Sequence, residues 1–298
     1  MIEFAGKTAV ITGGADGIGL DLARALGQRG MNIVITDIEA PQLAKAASAL
    51  NDLGIQHHAV EMDVAVRSDW ERTARETVDT FGDVHMLINN AGVSGGVGSI
   101  ENLDEEGWRW CIDVNLMGTV YGANTMVPLM KGHGEPSWLI NVASMAGMGG
   151  VPLAGGYTAT KAAVVAMTEA WSEELAASNI KVSVLAPAYV KTRIYLSHRN
   201  RQARYPMSIA PTPEMMMIAK SSATAVTGGI EPSMLSDRLI EGLESGQLYI
   251  FTHPNYKSAT DDRSAAIASA FEDACASPIV GALKNDPINT GFSEDLPG

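Results

Sequence analysis

Cysteine, positive charge and long apolar runs are all scarce in this chain of 298 residues. Its two cysteines, Cys111 and Cys275, stand far apart and outside any metal-ligand spacing, which argues against a disulfide framework and against a metal site. We expect both to be buried as small apolar side chains in a reducing compartment. No run of about 18 apolar residues could cross a membrane, and the N-terminus lacks the segments of a signal peptide. These absences predict a cytoplasmic protein.

Basic residues are outnumbered by acidic ones, 21 against 34, and the formal net charge is −13. Because the acids are spread along the whole chain, the long-range field repels phosphate backbones and anionic membranes. We therefore expect a small-molecule substrate, and neither nucleic acid nor a membrane, as the partner. The hydrophobic content of 46% is ample for a conventional core.

Short aliphatic or β-branched segments alternate with helical patterns along most of the chain. Seven such segments occupy residues 8–12, 32–37, 57–63, 85–90, 137–143, 181–187 and 247–252. Their hydrophobicity is continuous, which is typical of parallel strands covered on both faces. The sequence thus predicts an α/β fold, a doubly wound, mostly parallel seven-stranded sheet with helices on both sides. Residues 68–82 predict one of those helices, capped by Ser68 and with Trp70 and Val78 facing inward.

The amino-acid composition changes between Tyr195 and Gly229, where three prolines and four methionines occur. The segment is too long for a simple connection and predicts a substrate lid. Its apolar side chains suit a ring system; they are Tyr195, Tyr205, Met207, Met215, Met216, Met217 and Ile218. Residues 253–298 predict a helical C-terminal extension. We expect residues 1–298 to form one domain that includes the lid and the extension.

A glycine-rich loop, TGGADGIG at residues 12–19, follows the first strand and opens the first helix. In a nucleotide-binding turn, Gly13 permits the tight bend, Gly17 lets the backbone approach a pyrophosphate, and Gly19 allows close helix packing. A glycine cluster alone is a weak signal, because any strand-to-helix turn can use one.

The second strand ends in Asp37, eighteen residues after Gly19. A carboxylate at that offset can accept both ribose hydroxyls of an adenosine, and it would repel a 2′-phosphate. Neither Asp16 nor Ile38 supplies a compensating positive charge. We therefore expect NAD, not NADP, as the cofactor.

Tyr157 and Lys161 stand four residues apart at the start of a predicted helix and so share one face. By itself such a pair is ordinary helix-surface chemistry. However, Ser144 ends the fifth strand, at the edge where open α/β sheets bind ligands, and Asn115 lies in a predicted helix that gives asparagine no advantage. A nearby ammonium favours the phenolate, so we expect Lys161 to lower the pKa of Tyr157 and make it a usable base.

In combination these motifs resemble the short-chain dehydrogenase/reductases over about residues 5–255. The likeness rests on TGGADGIG (12–19), Asp63-Val64, NNAG (89–92), Asn115, Ser144, Tyr157-xxx-Lys161 and PAYVKT (187–192). It implies an enzyme, an NAD-dependent oxidoreductase that is a homodimer or homotetramer, with a catalytic tetrad of Asn115, Ser144, Tyr157 and Lys161. Ala188 departs from the family, which usually has glycine there.

The resemblance also implies a set of cofactor contacts. Asp63 and Val64 would contact adenine, Asn90 and Lys161 the ribose, and Pro187, Val190 and Thr192 the nicotinamide. Together with the glycine loop, the predicted cofactor residues are Gly13, Asp16, Gly17, Ile18, Gly19, Asp37, Asp63, Val64, Asn90, Ala91, Gly92, Tyr157, Lys161, Pro187, Val190 and Thr192. In the implied reaction Ser144 holds the substrate oxygen, Tyr157 takes its proton and Asn115 holds a water that leads to Lys161.

Residues 231–274 resemble those of family members that oxidise benzylic alcohols of lignin-derived aryl ethers. The expected function is therefore the interconversion of a secondary alcohol and a ketone, with a bulky aromatic alcohol as substrate. Steroid-like or other bulky alcohols are an alternative. A non-catalytic NAD-binding regulator is another, although such a protein has no need of Tyr157 and Lys161 together.

Overall fold

The computed structural model describes residues 2–288 of the chain. The chain divides into two compact units, with the boundary between His253 and Pro254. The expectation of a single domain with a lid and an extension stays a prediction.

Within the described residues of the first unit, seven strands form one sheet in the order β3-β2-β1-β4-β5-β6-β7, and every neighbouring pair is parallel. This confirms the predicted doubly wound α/β class. The strands are β1 (Thr8–Thr12), β2 (Asn32–Asp37), β3 (His57–Glu61), β4 (Met86–Asn89), β5 (Ser137–Val142), β6 (Ile180–Ala186) and β7 (Tyr249–Phe251).

The helices of the first unit are α1 (Gly17–Gly27), α2 (Ala40–Asp52), α3 (Arg67–Phe81), α4 (Glu105–Cys111), α5 (Gly118–His133), α6 (Gly155–Glu174), α7 (Pro213–Thr227) and α8 (Pro232–Glu244). They cover both faces of the sheet. Successive residues of a strand point to opposite faces, and in β1 Ile11 belongs to the core that holds Leu22 of α1, whereas Val10 belongs to the core that holds Trp70 of α3. All four side chains are fully buried, which explains why the strands read as continuous apolar runs.

The strand order determines which part of the sheet edge can bind a ligand. After β3 the chain returns to the centre of the sheet, so β4 pairs with β1 and Ile11 lies beside Ile88. From this point the chain continues from β1 to β2 on one side of the sheet centre and from β4 to β5 on the other. The crevice at the carboxyl ends of β1 and β4 is the position where open α/β sheets bind ligands.

Helix α3 corrects one local prediction. It begins at Arg67, and the residue before it, Val66, makes no side-chain cap, so Ser68 lies inside the first turn. Val78 is exposed, because it lies one residue past the inward face. The buried residues of that face are Trp70, Thr73, Ala74 and Thr77.

The predicted lid is partly helical. Residues Ile194–Asn200 form a short 3₁₀ helix, and α7 fills its second half. The hydroxyl of Thr212 accepts a hydrogen bond from the Met215 N–H at 3.2 Å, and Pro213 follows Thr212 directly. Thr212 and Pro213 therefore start α7 as a capping residue and an N-terminal proline do in many helices.

The second unit contains α9 (Lys257–Ala276), in which no residue is buried. Cys275 lies on this helix and is exposed, so the expectation that both cysteines are buried is wrong for Cys275 and right for Cys111. Both thiols are free. Within residues 2–288 no helix is long and apolar enough to span a bilayer, and no cluster of three or more His, Cys, Asp or Glu side chains is arranged to hold a metal ion.

Candidate active site

The turn after β4 is tied to the end of β1. The Thr12 hydroxyl accepts hydrogen bonds from the N–H groups of Asn90 (2.9 Å) and Ala91 (3.0 Å). The Asn90 amide in turn donates to the Thr12 carbonyl at 2.8 Å. The NNAG residues and the glycine loop therefore form one continuous rim of the crevice.

The glycine positions of the loop have no room for a side chain. Gly13 and Gly17 have φ angles of +61° and +50°, in the left-handed region that favours glycine. A Cβ on Gly19 would lie 2.2 Å from the Gly13 carbonyl oxygen, so α1 packs directly against the loop. Helix α1 begins at Gly17, and the unpaired N–H groups of its first turn form an anion site. This cradle fits the pyrophosphate of a dinucleotide.

Asp37 lies against the same loop. One carboxylate oxygen accepts from the Ala15 N–H at 3.3 Å, and the other accepts from the Glu39 N–H at 3.0 Å. Burial raises the pKa of this carboxyl group, although those two N–H groups act in the opposite direction. The sequence predicted that Asp37 lies beside the loop only from its spacing of eighteen residues after Gly19. In the structure the two are in contact.

Asn115 lies in a π turn, Ile112–Met117, that joins α4 to α5. Its side-chain oxygen accepts from the Val93 N–H at 2.8 Å, and its NH₂ group donates to the Val93 carbonyl at 3.0 Å and to the Thr160 hydroxyl at 3.2 Å. The amide therefore holds the chain after β4 next to α6. The Asn115 backbone carbonyl accepts from the Thr119 hydroxyl at 3.0 Å. The water expected on Asn115 stays a prediction.

Ser144, Tyr157 and Lys161 come together where β5 ends. Ser144 follows β5 by two residues, and its hydroxyl interacts with the phenol of Tyr157. The Lys161 Nζ donates to the Val142 carbonyl at 2.7 Å and lies 5.8 Å from the centre of the Tyr157 ring. A Cβ on Gly92 would lie 3.5 Å from that same Nζ, so the rim after β4 borders the group.

Burial controls the protonation of the two catalytic candidates. It raises the pKa of Tyr157 to about 12, against a smaller lowering by Ser144, and it lowers the pKa of Lys161 to about 8. The expected fall in the Tyr157 pKa is therefore wrong for the protein alone. The physical reason is that desolvation disfavours both charged forms, while the ammonium is held by the Val142 carbonyl.

The residues after β6 reach the glycine loop. The Pro187 carbonyl accepts from the Met145 N–H at 2.8 Å, and Val190 pairs with Ile230 in an isolated bridge. A Cβ on Gly17 would lie 2.9 Å from the Thr192 methyl group. Ala188 has no positive φ, so the alanine that replaces the family's usual glycine is accommodated without backbone strain.

Three of the predicted cofactor residues lie at the edges of this group. Ile18 is half-buried against the core shared by α1 and α8. Val64 packs against α5, with its Cγ2 2.9 Å from the position of a Cβ on Gly118. The Asp63 carboxylate is bound by protein, because it accepts from Arg204 at 2.6 Å and from Gln202 at 3.3 Å.

The sequence model of one protein family, described as short chain dehydrogenase, matches residues 7–203, more than half of the chain. The chain belongs to the short-chain dehydrogenase family. This confirms the predicted resemblance and the enzyme class, an oxidoreductase.

Relatives of this short-chain dehydrogenase match it over most of its length. A "C alpha-dehydrogenase" of Sphingobium sp. strain SYK-6 is 34% identical over 90% of this chain and 87% of the relative. A "Cyclohexanol dehydrogenase" of Acinetobacter sp. strain SE19 is 36% identical over 64% of this chain and 75% of the relative. A short chain dehydrogenase/reductase of Burkholderia phymatum, solved in complex with NAD, is 32% identical with a TM-score of 0.88 and covers 91% of this chain and 97% of its own.

One set of residues near the site of this short-chain dehydrogenase was missed by the sequence analysis. Arg193 contacts Asp16 of the glycine loop and lies 4.0 Å from Glu39, so the positive charge that neither Asp16 nor Ile38 supplies comes from another part of the chain. The arginine comes from a segment 177 residues further along the chain. The available signal was composition, since residues 193–204 hold four arginines and no acid in a chain that is otherwise acidic.

Proposed function

We propose that this short-chain dehydrogenase uses NAD to interconvert a secondary alcohol and a ketone, with a bulky aromatic alcohol as substrate. The observation that carries the proposal is the grouping of Ser144, Tyr157 and Lys161 at the end of β5, beside the rim formed by the glycine loop and NNAG. A binding module has no use for a buried lysine beside a phenol, because burying the ammonium costs stability.

The residues divide the chemistry between them. Ser144 donates a hydrogen bond to the substrate oxygen, and Tyr157 accepts the hydroxyl proton as the carbonyl forms. Bound NAD supplies the acceptor for the hydride that leaves the carbinol carbon. Lys161 stabilises the phenolate form of Tyr157, which is the form that accepts this proton. The products are then the ketone, NADH and one proton, and reduction runs through the same groups in reverse.

The predicted cofactor residues would bind two parts of NAD, its pyrophosphate and its adenosine ribose. Gly13, Gly17 and Gly19 would receive the pyrophosphate, and Asp37 would accept the adenosine ribose hydroxyls. Asp16, Asp37 and Glu39 supply three negative charges there, against two positive charges from Arg193 and Arg199. The balance of −1 disfavours a 2′-phosphate, so we expect higher kcat/KM with NAD than with NADP and a narrower preference in Asp37→Ala. Equal efficiency of the unmodified enzyme with both cofactors would contradict this.

The substrate proposal rests on the apolar surroundings and on the relatives. Met215 of α7 packs against Gly98, and the Gly98 N–H donates to the Leu153 carbonyl at 2.8 Å, four residues before Tyr157. Helix α7 is thus adjacent to the loop that leads to Tyr157. The name of one relative, a cyclohexanol dehydrogenase, favours an alcohol that contains a ring.

Comparing two alcohols at one NAD concentration tests the substrate class. A ring that buries about 100 Å² stabilises the bound transition state by about 2.5 kcal/mol, which is roughly 70-fold in kcat/KM. We expect a benzylic aryl carbinol to exceed 2-propanol by a factor of this order. A higher kcat/KM for 2-propanol would refute the proposed apolar substrate pocket. A higher kcat/KM for a steroid-like alcohol than for the aryl carbinol would favour the steroid-like substrate class. NADH binding with no turnover of any alcohol would identify a regulator.

We further propose that the enzyme is cytoplasmic and forms a homodimer or homotetramer. Two free thiols in 298 residues support a reducing compartment. The family resemblance supports the oligomer. Light scattering of the purified protein decides the second point, since a monomeric mass would contradict it.

A further inference from the structure

The segment Arg193–Arg204, which we call the basic segment, runs along the carboxyl edge of β1, β2 and β3. Its first arginine contacts Asp16, after β1. Arg199 lies 2.6 Å from the Glu39 carboxylate, after β2. Arg204 lies 2.6 Å from the Asp63 carboxylate, after β3. The segment thus contacts one acidic residue beyond each of three successive strands.

Neutral side chains of the basic segment follow the same path. Asn200 donates to Glu39 at 2.9 Å, and Gln202 donates to Asp63 at 3.3 Å. The Ser197 hydroxyl accepts from the Ser94 N–H at 3.0 Å, two residues past the NNAG turn. These contacts span the crevice from the glycine loop to the rim after β4, which is the place proposed for the adenosine half of NAD.

A second set of contacts anchors the segment away from the crevice. Arg201 makes two hydrogen bonds to Asp104, at 2.7 and 3.2 Å, and both side chains are about nine-tenths buried. The Tyr205 hydroxyl donates to Asp113 at 2.7 Å. By contrast, the arginines that contact Asp16, Glu39 and Asp63 are 28% to 42% exposed. Exposed ion pairs are weak and are screened by salt, so the outer contacts can open while the anchor holds.

We propose that the basic segment competes with the cofactor: in this structure it covers the adenosine end of the crevice, and NAD binding requires its ion pairs with Asp16, Glu39 and Asp63 to open. The inference rests on the proposed NAD site. It assigns Arg199 and Arg204 a role in setting cofactor affinity, because each holds a carboxylate that lies beside, or is itself, a predicted cofactor residue.

Equilibrium binding of NADH, followed by its fluorescence, tests the competition. We expect Arg199→Gln and Arg204→Gln each to lower the Kd for NADH about two- to fivefold, the range of one exposed ion pair. Arg204→Lys keeps the charge and should stay near the unmodified value. Arg109→Gln is the matched control, because it removes an exposed ion pair with Glu105 on α4 and should leave the Kd unchanged.

Salt dependence provides a second readout that a merely structural role would not change. Between about 0.02 and 0.5 M NaCl, screening should favour opening of the segment in the unmodified enzyme. The gap in Kd between the enzyme and the Arg199→Gln/Arg204→Gln double variant should therefore shrink as salt rises. A melting temperature for each variant verifies that it is folded.

The outcomes separate the two proposals. If the Gln variants bind NADH as the unmodified enzyme does, or more weakly, the segment does not compete and the inference is overturned while the NAD site stands. If neither the enzyme nor the variants bind NADH at all, the proposed cofactor itself fails, and the competition fails with it.

Discussion

Tyr157 is the proposed general base of the reaction, yet burial disfavours its phenolate form and raises its pKa to about 12. We expect Tyr157→Phe to lower turnover by at least about 100-fold, the usual loss when a general base is removed. The Kd for NADH should stay within about twofold of the unmodified enzyme, because the ring is retained. Steady-state kinetics and NADH fluorescence measure the two effects.

Tyr249→Phe is the control for this change. Its hydroxyl donates to Glu169 at 2.6 Å on the outside of the sheet edge, so the same chemical deletion is made away from the site. Turnover should be unaffected there. Near-normal turnover in Tyr157→Phe would show that another group accepts the proton.

Lys161 should make the stability of the protein depend on pH in a defined direction. Burial lowers its pKa from 10.5 to about 8, so the unfolded chain holds the proton more tightly than the folded one. Below pH 8 the folded protein carries the full cost of the buried charge. As pH rises from about 8 to 10.5, only the folded lysine is neutral, and that cost of about 3 kcal/mol is relieved.

Comparison with Lys161→Met measures this effect without cofactor. The unmodified protein should gain free energy of unfolding relative to the variant across that pH window, as followed by urea denaturation. Lys181→Met, at an exposed position of β6, is the matched control for replacing a lysine by methionine. A constant difference between the unmodified protein and Lys161→Met would mean that the ammonium is solvated in the folded state.

The residue scale also shows what sequence can and cannot predict. Positions set by one element were predictable, because Tyr157 and Lys161 are one helical turn apart, Asp37 is the last residue of β2 and Ser144 follows β5. The Arg193–Asp16 contact joins residues 177 positions apart and depends on the path of an irregular segment. The pKa of Tyr157 depends on how much water the completed fold excludes, which no motif encodes.

At the scale of elements, the packing of α1 against the glycine loop is the most demanding contact of the site. We expect Gly19→Ala to destabilise the protein by about 1–3 kcal/mol and to weaken NADH binding, because its Cβ would lie 2.2 Å from a carbonyl oxygen. Thermal denaturation and NADH fluorescence measure the two effects.

Gly132→Ala in α5 is the matched control, and we expect it to stabilise the protein where Gly19→Ala destabilises it. No atom lies within 4 Å of a Cβ built there, so the substitution should gain up to about 1 kcal/mol from helix propensity. Equal effects of the two substitutions would show that α1 can move away from the loop.

The start of α3 and the π turn between α4 and α5 are features of helices that the sequence did not predict. The existence of α3 followed from its apolar period, but its start did not, since Ser68 offered a cap that the backbone does not use. Asn115 stood out as an asparagine inside a helix. The π turn that positions it depends on its bonds to Val93 and Thr160, which come from other elements.

At the scale of the whole molecule, two helices of the same length differ completely in burial. Helices α6 and α9 each contain 20 residues; α6 has a buried face that includes Val164, Val165 and Thr168, whereas α9 has no buried residue. In proteins most of the stability of a helix comes from packing of its buried face. We expect amide hydrogens of α9 to exchange orders of magnitude faster than those of α6 in hydrogen-exchange mass spectrometry.

The exchange experiment is best run across a range of protein concentrations. Fast exchange of α9 at every concentration is the expected result. Protection of α9 equal to that of α6 would contradict it and would mean that another copy of the chain covers the helix in solution.

The π turn at Ile112–Met117 has a consequence for how the gene can change. A π turn closes i→i+5 hydrogen bonds and so accommodates one residue more than an α turn, while the helix on either side keeps its direction. We expect loss of one codon there to convert the π turn between α4 and α5 into an ordinary α turn. The same event moves Asn115 away from Val93. We therefore expect a one-residue deletion at this point to break the contact that ties the chain after β4 to α6, and to displace Asn115 from the site in the same step.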